Sequence, residues 1–233
     1  MATLYGVGVG PGDPELVTLK ALRLLEEVPV ICAPRSREEG ESLAGEVVAS
    51  LLGEKLRSKE LLLLYFPMTR DRKVLEEAWR EAASQVVARL RRGKDVAFVT
   101  LGDPSFYSTF PYLRQAVLAL APETRVAVVP GVSSLSSCMA LGGVWVQEDE
   151  RLAVIPVTGD FSFDSWLNEF DCLVFLKGGR HWGRLREFLA ARGFLAQARL
   201  VERCSTPEEK VRLAAEVEKA PYLSQVIVHR SRF

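Results

Sequence analysis

Apolar and polar positions along the chain fall into short blocks of two alternating kinds. Residues 3–9 mix small and apolar groups as a buried strand does, and a Gly-Pro-Gly-Asp-Pro turn leads from them into an amphipathic stretch around residues 15–27. A second apolar run at 28–33 precedes residues 42–52, where Leu43, Val47 and Leu51 recur at helical spacing. Residues 61–66 are strand-like, 71–92 read as a long amphipathic helix closed by Gly93, and 95–100 form another apolar strand. A helix over residues 110–120 follows. Strands alternating with helices predict a parallel sheet with helices on both faces.

The turn Ala121-Pro-Glu-Thr is where this order breaks. It predicts an N-terminal α/β domain over residues 1–120, with a parallel sheet, and a C-terminal α/β domain over 121–233, with a mixed sheet. The second half opens with a short strand at 125–129, ending at Pro130-Gly131, and a small-residue helix over 133–141. Further strands are expected at 152–157, 172–176, 199–202 and 225–229, several of them separated by helices. Neither a low-complexity tract nor a fixed-period repeat is present.

At 233 residues, 48% of them hydrophobic, the chain can bury a sizeable core of two small domains. Its 30 basic residues balance 30 acidic ones, so no net field draws it to nucleic acid or to an anionic membrane. An anionic ligand must then be met by a local basic patch. The opening MATLYGVGVGPGD has no cationic stretch ahead of an apolar core, and no apolar run reaches the roughly 18 residues of a membrane span. A soluble cytoplasmic protein is expected. Cys32, Cys138, Cys172 and Cys204 lie too far apart for zinc or redox motifs and are expected as buried free thiols. His181 and His229 stand alone, so no metal centre is expected.

The chemistry gathers in loops that follow apolar strands. Gly6-Val-Gly-Val-Gly-Pro-Gly-Asp-Pro resembles a dinucleotide fingerprint, but the third glycine of G-x-G-x-x-G falls on Pro11 or Asp13. A nicotinamide oxidoreductase is disfavoured for that reason. Thr100-Leu-Gly-Asp-Pro-Ser-Phe-Tyr-Ser-Thr-Phe packs a carboxylate, hydroxyls and aromatic rings into one loop, and Val129-Pro-Gly-Val-Ser-Ser offers hydroxyls and free backbone N–H groups at a helix start. Each loop has a purely structural reading as a tight turn. Together at strand ends they predict a ligand site, with glycines admitting a bound molecule close to the backbone.

The succession GVGVGPGDPELVTLKA, GDPSFYSTF, VPGVSS, FLKGGRHWGRL and VERCSTPEE resembles the tetrapyrrole methylase family over nearly the whole chain. Gly102-Asp-Pro-Ser-Phe-Tyr-Ser-Thr-Phe110 and Val201-Glu-Arg-Cys-Ser-Thr-Pro207 are most similar to the branch that methylates C20 of precorrin-2 or its cobalt-containing counterpart. The resemblance implies two α/β domains with S-adenosylmethionine in the cleft between them, a homodimer, and a place in cobalamin biosynthesis. By motif position it implies cofactor contacts from Pro11, Gly102, Asp103, Phe106, Ser133, Ser134, Leu176, Cys204 and Ser205. Tyr107 and Thr109 share the cofactor motif and are expected to meet the tetrapyrrole. Arg35, Arg37 and Arg70, with Arg72 and Lys73, lie in connections after strands and are candidates for its carboxylates. Asp103 is a candidate base, with fastening of the loop or cofactor as its alternative role. Glu209 stands where the family often has glutamine. Methylation at another precorrin position, or tetrapyrrole binding without catalysis, are the alternatives to C20 methylation.

Overall fold

The computed structural model describes residues 2–37, 39–158 and 163–230, which divide into a unit ending at Ser133 and a second beginning at Ser134. In the first unit, β1 (Thr3–Gly8), β2 (Val30–Arg35), β3 (Glu60–Tyr65), β4 (Val96–Thr100) and β5 (Arg125–Val129) form a parallel sheet in the order β3-β2-β4-β1-β5. Helices α1 (Leu19–Glu27) and α2 (Leu43–Leu52) bury Ala21, Leu25, Val47 and Val48 against one face, on Val7, Ile31, Ala97 and Val99. Helices α3 (Arg72–Leu90) and α4 (Phe110–Leu120) bury Ala83, Val86, Leu113 and Val117 against the other, on Leu4, Val30, Cys32 and Phe98. The steps β1→β2 and β2→β3 run toward one edge, whereas β3→β4 and β4→β5 run back. A single crossover handedness then puts the two pairs of helices on opposite faces.

Local signals fix the helix ends. Thr18 and Ser42 accept from Ala21 N and Gly45 N at the starts of α1 and α2, and Asp71 accepts from Lys73 N and Val74 N at the start of α3. Strand β2 begins two residues later than the apolar run suggested, because the Val28 N–H still bonds back to Leu24 O and closes α1. Pro34 is tolerated in β2 because β4 pairs only with Val30–Cys32, leaving Pro34 beside β3 alone.

The boundary expected at residue 120 is corrected to Ser133. Strand β5, assigned from sequence to the second domain, pairs with β1 from Thr3↔Arg125 to Val7↔Val129. The turn at 121–124 is an ordinary helix-to-strand connection, closed by Ala121 N to Val117 O and Thr124 N to Ala121 O.

In the second unit, β6 (Leu152–Pro156), β7 (Cys172–Leu176), β8 (Ala198–Glu202), β9 (Lys210–Leu213) and β10 (Ser224–His229) are ordered β6-β7-β10-β8-β9. Only the β6–β7 pair is parallel. Helix α5 (Ser134–Leu141) covers one face, with Cys138 and Met139 packed on Cys172, Val174, Leu176, Val201 and Ile227. Helices α6 (Asp164–Glu169) and α7 (Trp182–Ala191) cover the other, where Leu167, Leu185 and Leu189 meet Leu173, Phe175, Leu200 and Val226. Strand β9 escapes the apolar pattern because it is a short edge carrying Lys210 and Arg212, the usual guard against edge pairing. Among the described residues, no helix is long and apolar enough to cross a membrane.

Candidate functional site

In the first unit the loops leaving β1, β4 and β5 meet at the C-terminal edge of the sheet. The connection from β1 heads toward β2 and that from β4 toward β5, so the two cross. They touch through Val9 N to Thr100 O at 3.0 Å and Gly102 N to Gly10 O at 2.7 Å. The backbones are too close for side chains: a Cβ on Gly8 would lie 2.5 Å from Gly102 O and 2.6 Å from Gly131 N. These glycines were read as admitting a ligand. Their immediate cause is the contact of three strand ends with one another.

Asp103 fastens this junction. Its Oδ1 accepts from Ser105 N at 2.8 Å and its Oδ2 from Gly131 N at 2.9 Å, tying the loop after β4 to the turn after β5. With an N–H on each oxygen, the carboxylate is arranged as a fastener. Beside it, Pro11 is buried, and Gly102 adopts the left-handed φ of 70° that the turn needs. Phe106 and Tyr107 stand 43% and 48% exposed, edge to face at 5.1 Å. Thr109 occupies the N-cap position of α4, but its side chain makes no cap bond. That work falls to Ser108, whose Oγ accepts from Phe110 N at 3.0 Å and lies 3.2 Å from the buried Thr100 hydroxyl. Arg35 ends β2 on the same sheet edge, with its Nε buried and without a hydrogen bond, while Arg37 and Arg70 are exposed in the following loops.

The second unit assembles Ser134, Leu176, Cys204 and Ser205 around the start of α5. Leu176 ends β7 and is buried against Cys138 and Cys204. Ser205 Oγ lies 2.5 Å from Ser137 Oγ, and Ser205 N donates to Glu209 Oε2 at 2.9 Å. The carboxylate at 209 thus closes the loop after β8. Cys138 and Cys204 are both free thiols, hydrogen-bonded to each other. That bond holds Cys204 down to about 7 against the opposing effect of burial, with Ser137 and Ser205 assisting. The same contact, together with burial, pushes Cys138 up.

Sequence reasoning missed Ser137, Ser108 and Gln225. Ser137 stood one turn after Ser134 in the run Ser-Leu-Ser-Ser, a signal that was available. Gln225 precedes the apolar run Val226–Val228 of β10, is 8% exposed, and its Nε2 donates to Ser134 Oγ at 2.9 Å. Among the described residues, the non-glycine positions with left-handed φ are Tyr107, Lys177, Arg203 and Ser205. All sit in the motif loops, where such strain is typically held by function.

The family model for Tetrapyrrole (Corrin/Porphyrin) Methylases matches residues 3–220. The chain belongs to the tetrapyrrole methylase family. It is 34% identical to the cobalt-precorrin-2 C(20)-methyltransferase of Salmonella typhimurium over 97% of this chain and 96% of that one. It is equally 34% identical to a precorrin-2 C(20)-methyltransferase from a Sinorhizobium species, over 97% and 94% of the two chains. Among solved structures, the uroporphyrin-III C-methyltransferase of Thermus thermophilus complexed with S-adenosylhomocysteine aligns with a TM-score of 0.71 and 27% identity, covering 98% of each chain. Both arrangements of strands described above are thus those of a tetrapyrrole methylase.

Proposed function

We propose that this chain transfers a methyl group from S-adenosylmethionine to C20 of precorrin-2, or of its cobalt-containing counterpart, in cobalamin biosynthesis. The observation that carries this reading is the 34% identity to C20-methyltransferases over nearly the full length of both chains. The residues fit such a cofactor. In the second unit, hydroxyls at Ser134, Ser137 and Ser205 and the buried, unpartnered Oε1 of Gln225 offer donors and acceptors suited to a nucleoside and an amino acid, and in the first unit Phe106 offers an exposed aromatic ring.

On this reading Pro11, Gly102, Asp103, Phe106 and Ser133 contact the cofactor from the first unit. Ser134, Leu176, Cys204 and Ser205 do so from the second. The bound cofactor supplies a sulfonium methyl that needs no activation by the protein. What the protein adds is orientation and exclusion of water. Asp103 holds the loop that presents Phe106 and Tyr107, and both of its oxygens already receive N–H groups, so the departing ring proton is taken by a substrate nitrogen or by water. Tyr107 and Thr109 meet the tetrapyrrole, and Arg35, Arg37 and Arg70 meet its carboxylates. The buried, unpaired Nε of Arg35 favours that role, since a guanidinium so placed gains most from a bidentate anion. The family resemblance further implies a homodimer working in the cytoplasm.

The test is the position of the new methyl. Incubation with precorrin-2 and labelled S-adenosylmethionine should give a product whose label lies on C20 by NMR. A label on any other carbon overturns the assignment, and comparing turnover of the metal-free and cobalt-containing substrates decides between them.

A further inference from the structure

Strand β10 is flanked by β7 and β8, and at one level of this sheet Gln225 lies directly between Leu176 and Val201. Residues paired in an antiparallel ladder point to the same face, and here that is the face of α5, on which Leu176, Val201 and Cys204 form one cluster. An amide in the middle of this apolar row is costly unless both its ends are satisfied. Only one is. The Nε2 donates to Ser134 Oγ at 2.9 Å, whereas Oε1 is buried and has no partner. Turning the amide over would leave an NH₂ with two donors unpaired in place of one acceptor, so the observed orientation is the less costly.

We propose that Gln225 is a specificity-determining residue for the nucleoside, its Oε1 accepting a hydrogen bond from the exocyclic amine of an adenine seated on Leu176. This rests on the cofactor reading above and adds to it a residue that the family motifs did not indicate. The same side chain sets the polarity of its neighbour. Because Ser134 Oγ accepts from Nε2, its own proton is free to be donated to an acceptor on the ligand. Gln225 thus offers an acceptor to the base and, through Ser134, a donor to the rest of the molecule. A purine with a carbonyl in place of the amine would set oxygen against oxygen at Oε1. Discrimination by a buried hydrogen bond of this kind is strong because the mismatch leaves a polar group unpaired.

The test compares calorimetric binding of S-adenosylhomocysteine and S-inosylhomocysteine, which carries the carbonyl, to the wild-type chain and to Gln225→Leu and Gln225→Met. Met preserves the length of the side chain and serves if Leu perturbs folding, with circular dichroism and thermal melting as the control. The wild-type chain should prefer the adenosyl compound by about tenfold or more, and both variants should bind it about tenfold more weakly. The preference itself should nearly vanish in the variants. Unchanged affinity for the adenosyl compound overturns the proposal. So does weaker binding with the preference intact, which would confine Gln225 to orienting Ser134. A wild-type chain that binds neither compound would defeat the cofactor reading itself, a result distinguishable from the other two.

Discussion

Replacing Asp103 with asparagine removes one charge and one acceptor from the junction of the loops after β4 and β5. The native carboxylate receives Ser105 N at 2.8 Å and Gly131 N at 2.9 Å. Asparagine has a single carbonyl oxygen, so one of these N–H groups would face an NH₂ and lose its partner. A hydrogen bond to a charged group contributes about 1.5–3 kcal/mol, and solvent screening at the half-buried Asp103 reduces this to about 1–2 kcal/mol. If the cofactor needs this loop in place, that loss appears in binding, where about 1.4 kcal/mol is tenfold. The dissociation constant for S-adenosylhomocysteine should therefore rise by about 5- to 30-fold, read by calorimetry. The single-turnover rate at saturating cofactor should fall far less. A variant that binds the cofactor normally yet has lost about 10²-fold or more of its single-turnover rate would refute the fastening role and make Asp103 a base.

Gly8→Ala should destabilise the first unit by roughly 1–3 kcal/mol or more, since the added Cβ would sit 2.5 Å from Gly102 O and 2.6 Å from Gly131 N, both backbone atoms that cannot rotate away. Urea unfolding checks this, and a midpoint equal to wild type would show that the strand ends have room. The Cys204 thiol gives a pH dependence. Its folded value of about 7 lies below the ordinary thiol value of 9.0, so its contribution to stability is present above pH 9, shrinks as pH falls from 9 to 7, and is gone below about 7. Cys138, pushed the other way, begins to oppose stability only above its unfolded value of 9.0. The melting temperature of wild type minus that of Cys204→Ser should grow between pH 7 and pH 9, and a difference independent of pH would refute the shared thiol hydrogen bond.

The periodicity of the first half carried its fold almost entirely, because its central strands β1, β2 and β4 are buried along most of their length and each helix shows one apolar stripe. The division into units was misplaced because Ala121-Pro-Glu-Thr has linker composition while doing a turn's work. Only the pairing of Arg125–Val129 with β1, a contact distant in sequence, shows to which sheet that strand belongs. Of the proposed site, the sequence could show only what contiguous motifs carry: Asp103 and Phe106 in one unit, and Ser134 and Ser205 in the other, stand in loops or at helix starts that follow strand ends. The reason for the glycines was not legible, since a glycine that admits a ligand and one that admits a neighbouring loop look alike in sequence. Gln225 was hidden for another reason. Its partner, Ser134, is 91 residues away, and a polar letter beside a short apolar run has no local signature.

The junction of Gly8, Gly102 and Gly131 also limits how this enzyme can change. Three segments remote in sequence are locked there by bare main chain, so no substitution at the junction can adjust ligand preference without first displacing a strand end. On the proposed reading, in which Phe106 and Tyr107 meet the ligands, drift in specificity is channelled outward to such exposed side chains. A library aimed at new substrates should leave the glycines alone and vary those rings. Diversity spent on the junction would be lost to misfolding before any ligand was tested.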